Sequence, residues 1–171
     1  MEKSNIILIG MPGAGKSTIG VILAKRLGYD FIDTDLLIQT RSGKSLQAII
    51  NESGLEVFRS IEEEVLLSLE ARSTVIATGG SAIYSNQAIR HLKYSGRAVF
   101  INTPLQTLQS RIADMATRGM VISPGDSFAE LFIERNPLYR KYADIVVDDN
   151  QKTVEMIASE IADNFSRAEK T

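Results

Sequence analysis

The 171-residue chain contains no cysteine and no tryptophan, and it has one histidine and four prolines. Without cysteine there is no disulfide, no thiolate nucleophile and no cysteine-based metal site. A lone histidine, His91, cannot form a metal site by itself, and we expect it at the surface or boundary of a helix. The net charge of -2 provides no broad basic surface for nucleic acid or for an acidic membrane, so an anionic ligand must be held by a local cluster.

Long hydrophobic runs are also missing. No apolar stretch approaches the roughly 20 residues that cross a membrane, and the run at residues 6–10 is too short for a secretory signal. We therefore expect a cytoplasmic protein. The apolar fraction of 44% and the charged fraction of 23% are ordinary for a globular protein, and the length fits one domain, residues 1–171. We expect this domain to be monomeric.

Five short, β-branched runs alternate with stretches of helical periodicity. This alternation is typical of βαβ units in a doubly wound α/β domain, where ligands bind at the carboxyl ends of the strands. The expected fold is therefore α/β with a central five-stranded parallel sheet. The predicted strands are residues 5–9, 30–32, 74–77, 98–101 and 145–147.

Three further segments have recognisable patterns. Residues at about 35–72 form a helical insertion longer than one crossover helix, which we interpret as a substrate-binding lobe. Residues at about 117–127 are rich in glycine, serine, proline and aspartate with one arginine, and predict a mobile lid. Residues 152–168 carry an apolar stripe typical of an amphipathic helix that closes the domain.

Residues 10–17 match the phosphate-loop pattern G-x-x-x-x-G-K-[ST] between a predicted buried strand and a helical run. The glycines let backbone N–H groups surround phosphates, and the helix that follows presents its positive N-terminus. Lys16 is expected to reach the β and γ oxygens of ATP, and Ser17 to bind Mg²⁺. The predicted nucleotide-binding residues of the loop are Gly13, Ala14, Gly15, Lys16, Ser17 and Thr18.

Two carboxylates follow the second predicted strand. Strand alternation would turn Asp33 and Asp35 to the same side at the ligand edge of the sheet. Asp35 could orient an acceptor hydroxyl and take its proton, while Asp33 could hold a water of the Mg²⁺ shell. An ordinary aspartate is a poor base at neutral pH, so orientation is the expected main role of Asp35. The alternative is that Asp35 caps a helix that starts at Leu36.

Two arginines could recognise a carboxylate on the acceptor. Arg59 lies in the predicted lobe and Arg135 follows the predicted lid, and arginine forks suit carboxylates. In the segment 78–81, Gly79 and Gly80 let the backbone approach a ligand, although a plain turn is the alternative. We expect residues 62–64 to form a solvated acidic face, with Glu62 close enough to hold Arg59.

Taken together, these motifs resemble the shikimate kinase family, in the same order and over nearly the whole chain. The resemblance implies a three-layer P-loop kinase fold like that of nucleoside monophosphate kinases. It also implies transfer of the γ-phosphate of ATP to shikimate, giving shikimate 3-phosphate. The motifs that carry it are residues 10–17, 33–35, 58–59, 78–80 and 135–139.

The resemblance also assigns roles by matching position. It makes Lys16 the phosphate-binding lysine, Asp35 the acceptor contact, and the two arginines the grip on the shikimate carboxylate. It makes Arg118 the lid arginine, which joins Lys16 and Asp35 as a predicted catalytic residue and also binds the nucleotide. Arg111 is implied to lie against adenine.

Two departures from the family pattern concern the acceptor. Ser81 stands where the family usually has a third glycine, and the lid segment begins Arg118-Gly where the family has Arg-Pro followed by two leucines. We expect the backbone of Ser81 to face the acceptor with Gly79 and Gly80 while its side chain points away.

Three alternative functions stay open. Gluconate-like or homoserine-like acceptors are one alternative to shikimate. A regulatory module that binds ATP without transfer is another, although such a module has no need for Asp35. A nucleic-acid kinase would require a basic groove that the near-neutral composition does not indicate.

Overall fold

The computed structural model describes residues 4–115 and 127–169. Within these two ranges five strands and seven α-helices follow the predicted alternation. The strands are β1 Asn5–Ile9, β2 Asp30–Asp33, β3 Thr74–Ala77, β4 Gly96–Asn102 and β5 Ile145–Asp148. The helices are α1 Lys16–Leu27, α2 Thr34–Ser42, α3 Leu46–Leu67, α4 Asn86–Ser95, α5 Leu105–Met115, α6 Phe128–Tyr142 and α7 Val154–Glu169, with a short 3₁₀ helix at Ala82–Tyr84.

The strands form one parallel sheet in the order β2-β3-β1-β4-β5, which confirms the predicted fold class. β1 is central, and its Leu8 lies opposite Ala77 of β3 and Val99 of β4. All five residues of β1 are buried, which explains why its sequence is apolar without alternation. Because the strands are parallel, their carboxyl ends meet at one edge of the sheet, and the predicted ligand-binding motifs lie there.

Helices cover both faces of the sheet and make three layers. Helix α1 packs against α7 and contacts β1, β2 and β3, while α4 and α6 contact β4. Crossover connections between parallel strands are right-handed. Connections that run from the central strand β1 towards the two edges of the sheet therefore lie on opposite faces of the sheet. The main core therefore lies on both sides of β1.

Helices α2 and α3 enclose a second small core, made of Ile38, Ile49, Phe58 and Val65. They fall in the predicted lobe at about residues 35–72, whose role in substrate binding stays a prediction. Helix α3 contains a kink at Gly54, where φ is 86° and ψ is 166°. Residues other than glycine rarely adopt this backbone conformation, so Gly54 permits the sharp change of direction.

Most of the predicted lid at about 117–127 lies outside the described residues. Ser127 is described and begins α6 with a capping box, in which its hydroxyl accepts from the Glu130 N–H and the Glu130 carboxylate accepts from the Ser127 N–H. In the described ranges, the helices are all too short or too polar to span a bilayer.

Candidate active site

The phosphate loop connects β1 to α1 at the centre of the ligand edge. Gly13 and Gly15 have φ values of 83° and 85°, a conformation that favours glycine over every other residue. These two glycines turn the chain back on itself, so that the loop wraps around the start of α1. The predicted strand-loop-helix arrangement is therefore present.

Lys16, at the first position of α1, is 8% exposed. Its ammonium donates to the carbonyl oxygens of Gly10 at 2.7 Å and Met11 at 2.9 Å. Burial lowers the pKa of Lys16 to about 8, against the opposing effect of the Asp35 and Asp33 carboxylates. The ammonium is thus mostly charged at neutral pH, at the place where a phosphate would bind.

The side chain of Asp33, the last residue of β2, forms a hydrogen bond with the phosphate loop. One oxygen accepts from the backbone N–H groups of Asp35 at 3.0 Å and Leu36 at 3.1 Å, and the other accepts from the Ser17 hydroxyl at 2.5 Å. Asp33 is therefore the cap of α2, and the alternative that Asp35 caps this helix is wrong. The predicted alternation of side chains along a strand does not apply to Asp35, because Asp35 lies in the first turn of α2 and not in β2.

The pocket raises the pKa of Asp35 to about 6, chiefly through burial, while Lys16 opposes the rise. The ordinary aspartate pKa assumed from the sequence therefore does not hold in this pocket, and the orienting role of Asp35 stays a prediction. A Cβ atom on Gly79 would lie 2.6 Å from the Asp35 carboxylate and 2.4 Å from that of Glu62. A larger residue at this turn would have to displace both carboxylates, so Gly79 lets them approach the backbone in the observed arrangement.

Glu62 on α3 is 2% exposed, so the predicted solvated face is wrong for this residue. Its carboxylate accepts from the Ser81 hydroxyl at 2.5 Å. Burial raises the pKa of Glu62 to about 7, and the bond from Ser81 opposes that rise. The side chain of Ser81, which stands where the family usually has a third glycine, is thus hydrogen-bonded to Glu62 of α3. Glu62 was expected to hold Arg59, but the donor to its carboxylate is Ser81.

The two predicted acceptor arginines approach the turn after β3 from different helices. Arg135 on α6 is 3% exposed, and its Nη1 lies 3.1 Å from where a Cβ of Gly80 would be. Arg59 on α3 places its guanidinium carbon 4.3 Å from the centre of the Tyr84 ring. It lines a cavity of about 270 Å³ beside the main one.

Arg111 on α5 lies at the other end of the site. It donates to the Gly13 carbonyl at 3.2 Å and forms an ion pair with Asp149 at 2.8 Å. Asp149 is 3% exposed and also accepts from the Thr103 hydroxyl at 3.1 Å. Asp149 was not predicted from the sequence, although its place directly after β5, at the ligand edge, was an available signal.

A single cavity of about 880 Å³ connects these groups. It contains most of the predicted site residues, whereas Asp33 binds Ser17 at its border, Arg59 lies next to it and Arg118 is outside the described residues. Their ligand contacts stay predictions. The predicted residues that line the cavity are Gly13, Ala14, Gly15, Lys16, Ser17, Thr18, Asp35, Gly79, Gly80, Ser81, Arg111 and Arg135.

The site offers few groups for a metal ion. Across residues 4–115 and 127–169, no three histidine or acidic side chains are grouped to hold a metal ion. Ser17 and Asp33 nevertheless present hard oxygen atoms side by side. This pair suits Mg²⁺, which takes few protein ligands and completes its shell with phosphate and water oxygens.

The central phosphate loop, the three-layer parallel sheet and the carboxylate beside the loop define an α/β P-loop kinase fold. The family model for shikimate kinase matches residues 12–166. Shikimate kinase of Nitrosospira multiformis is 36% identical over 170 residues, with 98% of this chain and 87% of the relative covered.

Two solved structures agree with this match. The shikimate kinase of Acinetobacter baumannii in complex with shikimate has a TM-score of 0.87 at 32% identity, covering 96% of this chain and 94% of that chain. The shikimate kinase of Aquifex aeolicus has a TM-score of 0.80 at 35% identity, covering 95% and 96%. The chain belongs to the shikimate kinase family, which confirms the resemblance drawn from its motifs.

Proposed function

We propose that the protein transfers the γ-phosphate of ATP to a hydroxyl of shikimate, giving shikimate 3-phosphate. The observation that carries this proposal is the single cavity of about 880 Å³ in which the phosphate loop faces Asp35, the Gly79-Gly80-Ser81 turn and Arg135. A small hydroxy acid bound at the turn would meet the terminal phosphate of a nucleotide bound at the loop. Family membership supports shikimate as this acid, and the Acinetobacter baumannii relative is described in complex with shikimate.

Asp35 is the proposed acceptor of the hydroxyl proton. With a pKa raised to about 6, it is ionised at neutral pH and more basic than an ordinary aspartate. The acceptor oxygen attacks the γ-phosphorus, the bond to the ADP oxygen breaks, and the hydroxyl proton passes to the Asp35 carboxylate. Because the transition state of phosphoryl transfer is loose, orientation and charge stabilisation contribute more than proton removal.

Lys16 is the proposed source of charge stabilisation. Its ammonium, bound to loop carbonyls in this structure, would turn to the β and γ oxygens of the nucleotide. Ser17, directly, and Asp33, through water, would hold Mg²⁺, which would neutralise charge on the same phosphates. Arg118, outside the described residues, stays a proposed catalytic and nucleotide-binding residue on the strength of the family resemblance.

Substrate recognition is proposed at both ends of the cavity. Arg111, held by Asp149 and the Gly13 carbonyl, would lie against adenine. Arg59 and Arg135 would bind the acceptor carboxylate, together with the backbone at the Gly79-Gly80-Ser81 turn.

The oligomeric state, the cellular location and the segments that cover the site are also proposed. The expected monomeric state stays a proposal. The use of ATP supports a cytoplasmic location. The lobe at about 35–72 and the lid at about 117–127 are proposed to cover the acceptor and the nucleotide during transfer.

Product analysis by phosphorus NMR tests this function directly. The protein is mixed with ATP, Mg²⁺ and shikimate, and we expect a new phosphate monoester to form in step with ADP. Lys16→Ala is the control and should form both products about 10²- to 10³-fold more slowly. ATP binding without ADP release would instead indicate a regulatory module, and ADP release without the monoester would indicate another acceptor or simple hydrolysis.

A further inference from the structure

Tyr84 lies between the two arginines of the proposed acceptor site. It is the last residue of the 3₁₀ helix that follows the glycine turn. The guanidinium carbons of Arg59 and Arg135 lie 4.3 Å and 5.3 Å from the centre of its ring. Its hydroxyl accepts from Arg135 Nε at 3.2 Å and donates to the Glu134 carboxylate. One side chain thus connects α3, the turn after β3 and α6.

In the described part of the chain, the two arginines of the proposed acceptor site have no ion pair. Within residues 4–115 and 127–169 neither Arg59 nor Arg135 forms a salt bridge, although Arg135 is 3% exposed. In the same ranges no acceptor faces the buried Nε of Arg59. The guanidiniums of Arg135 and Arg59 oppose the rise in the pKa of the buried Glu62 carboxyl, but in the described ranges no carboxylate contacts either arginine as an ion pair. Guanidinium N–H groups without a contacting carboxylate favour the arrival of an anion.

An aromatic ring and a carboxylate hold an arginine in different ways. A carboxylate neutralises the guanidinium and occupies its N–H groups, whereas a ring face attracts the cation and leaves most N–H groups free. Two guanidiniums near one ring are therefore oriented while both keep their charge. Tyr84 lines the smaller cavity beside Arg59, not the main cavity, so it would act on a ligand through the arginines.

We propose that Tyr84 is a positioning residue that holds Arg59 and Arg135 together as one binding fork for the acceptor carboxylate. This inference rests on the proposed function and names the residue that organises its acceptor site. Tyr84 touches neither the reacting hydroxyl nor the phosphate, so it sets acceptor affinity and leaves the transfer step unchanged.

The test compares steady-state constants of Tyr84→Leu and Tyr84→Phe with those of the native protein. Loss of both cation–π contacts in Tyr84→Leu should raise the KM for shikimate about tenfold or more, with kcat and the KM for ATP nearly unchanged. Tyr84→Phe keeps the ring and loses the hydroxyl contacts, so a smaller rise of about two- to fivefold is expected. Tyr94→Leu is the matched control, because Tyr94 is 69% exposed on α4 and should leave all constants unchanged.

The methyl ester of shikimate separates positioning from general damage. The ester lacks the carboxylate charge, so Tyr84→Leu should not weaken it further if Tyr84 acts through the arginines. An equal loss for the acid and the ester, or unchanged acceptor KM in both Tyr84 variants, would overturn the inference. If Tyr84→Leu fails to fold, Tyr84→Phe still gives the comparison between acid and ester.

Failure of the proposed function gives a different result. A native protein that neither phosphorylates nor binds shikimate, the latter measured by thermal shift, would overturn both proposals. A native protein that is active on shikimate, with Tyr84 variants of unchanged KM, would overturn only the role of Tyr84.

Discussion

Replacing Ser81 by alanine removes the hydroxyl that donates to the carboxylate of Glu62. Both residues are buried, at 6% and 2% exposure, so water cannot easily take the place of the lost donor. A hydrogen bond to a charged group contributes about 1.5–3 kcal/mol to stability. For a chain of this length, and at a pH where Glu62 is ionised, that loss corresponds to a fall in melting temperature of about 3–12 °C.

The effect should depend on pH in a defined direction. Burial raises the pKa of Glu62 in the folded protein to about 7, well above its ordinary value. Folding is therefore favoured by the protonated carboxyl, and this contribution to stability is lost as pH rises through about 7. Without the Ser81 hydroxyl, the pKa of Glu62 rises further. The free energy of unfolding of Ser81→Ala therefore continues to fall at pH values where that of the native protein is already constant.

Thermal denaturation at pH 6 and at pH 8.5 measures this difference. We expect the melting temperatures of native protein and Ser81→Ala to differ little at pH 6 and to diverge at pH 8.5. In a Glu62→Gln background the same serine change should show no such pH dependence, because there is no carboxyl to titrate. An equal loss at both pH values would refute the reasoning and indicate that Ser81 contributes packing only.

Three other predictions concern catalysis. Lys16→Ala should reduce turnover about 10²- to 10³-fold without lowering the melting temperature, because burial already penalises this charge; wild-type turnover would contradict the role of Lys16. Native kcat/KM for shikimate should fall about tenfold per pH unit below pH 6, as Asp35 gains a proton, and Asp35→Asn should lose this limb and most turnover while keeping its ATP affinity; an unchanged limb would assign it to another group. Arg135→Ala should raise the shikimate KM about ten- to hundredfold and leave the ATP KM unchanged; equal effects on both substrates would indicate structural damage.

The phosphate loop and the five strands were predictable because their signals are local. A buried parallel strand requires a continuous apolar run, and the loop requires glycines and Lys16 at fixed spacing. The position of the helix cap at Asp33, where the sequence had suggested Asp35, was not local in the same way. It depends on where β2 ends and α2 begins, and strand alternation does not fix that boundary.

The burial of Glu62 had a signal that composition obscured. Glu62 lies four residues after Phe58 and four before Leu66, so all three share one face of α3, and both neighbours are buried. Three consecutive glutamates favoured the interpretation as a solvated face. The helical phase was the better guide.

The contacts of Tyr84 could not be derived from sequence. Its ring reaches Arg59 on one helix and Arg135 on another, and the latter is 51 residues away along the chain. Such contacts depend on how α3 and α6 pack around the turn after β3. The Arg111–Asp149 pair depends in the same way on the approach of α5 to the end of β5.

The most direct test of the proposed function is the relative kcat/KM of the native protein for shikimate, gluconate and homoserine, measured by coupled ADP release. Our account predicts strong preference for shikimate, and only a modest change in its kcat/KM on Ser81→Gly, because the serine hydroxyl is engaged with Glu62. Negligible turnover of shikimate with strong turnover of either other acid, or a large gain for shikimate in Ser81→Gly, would contradict it.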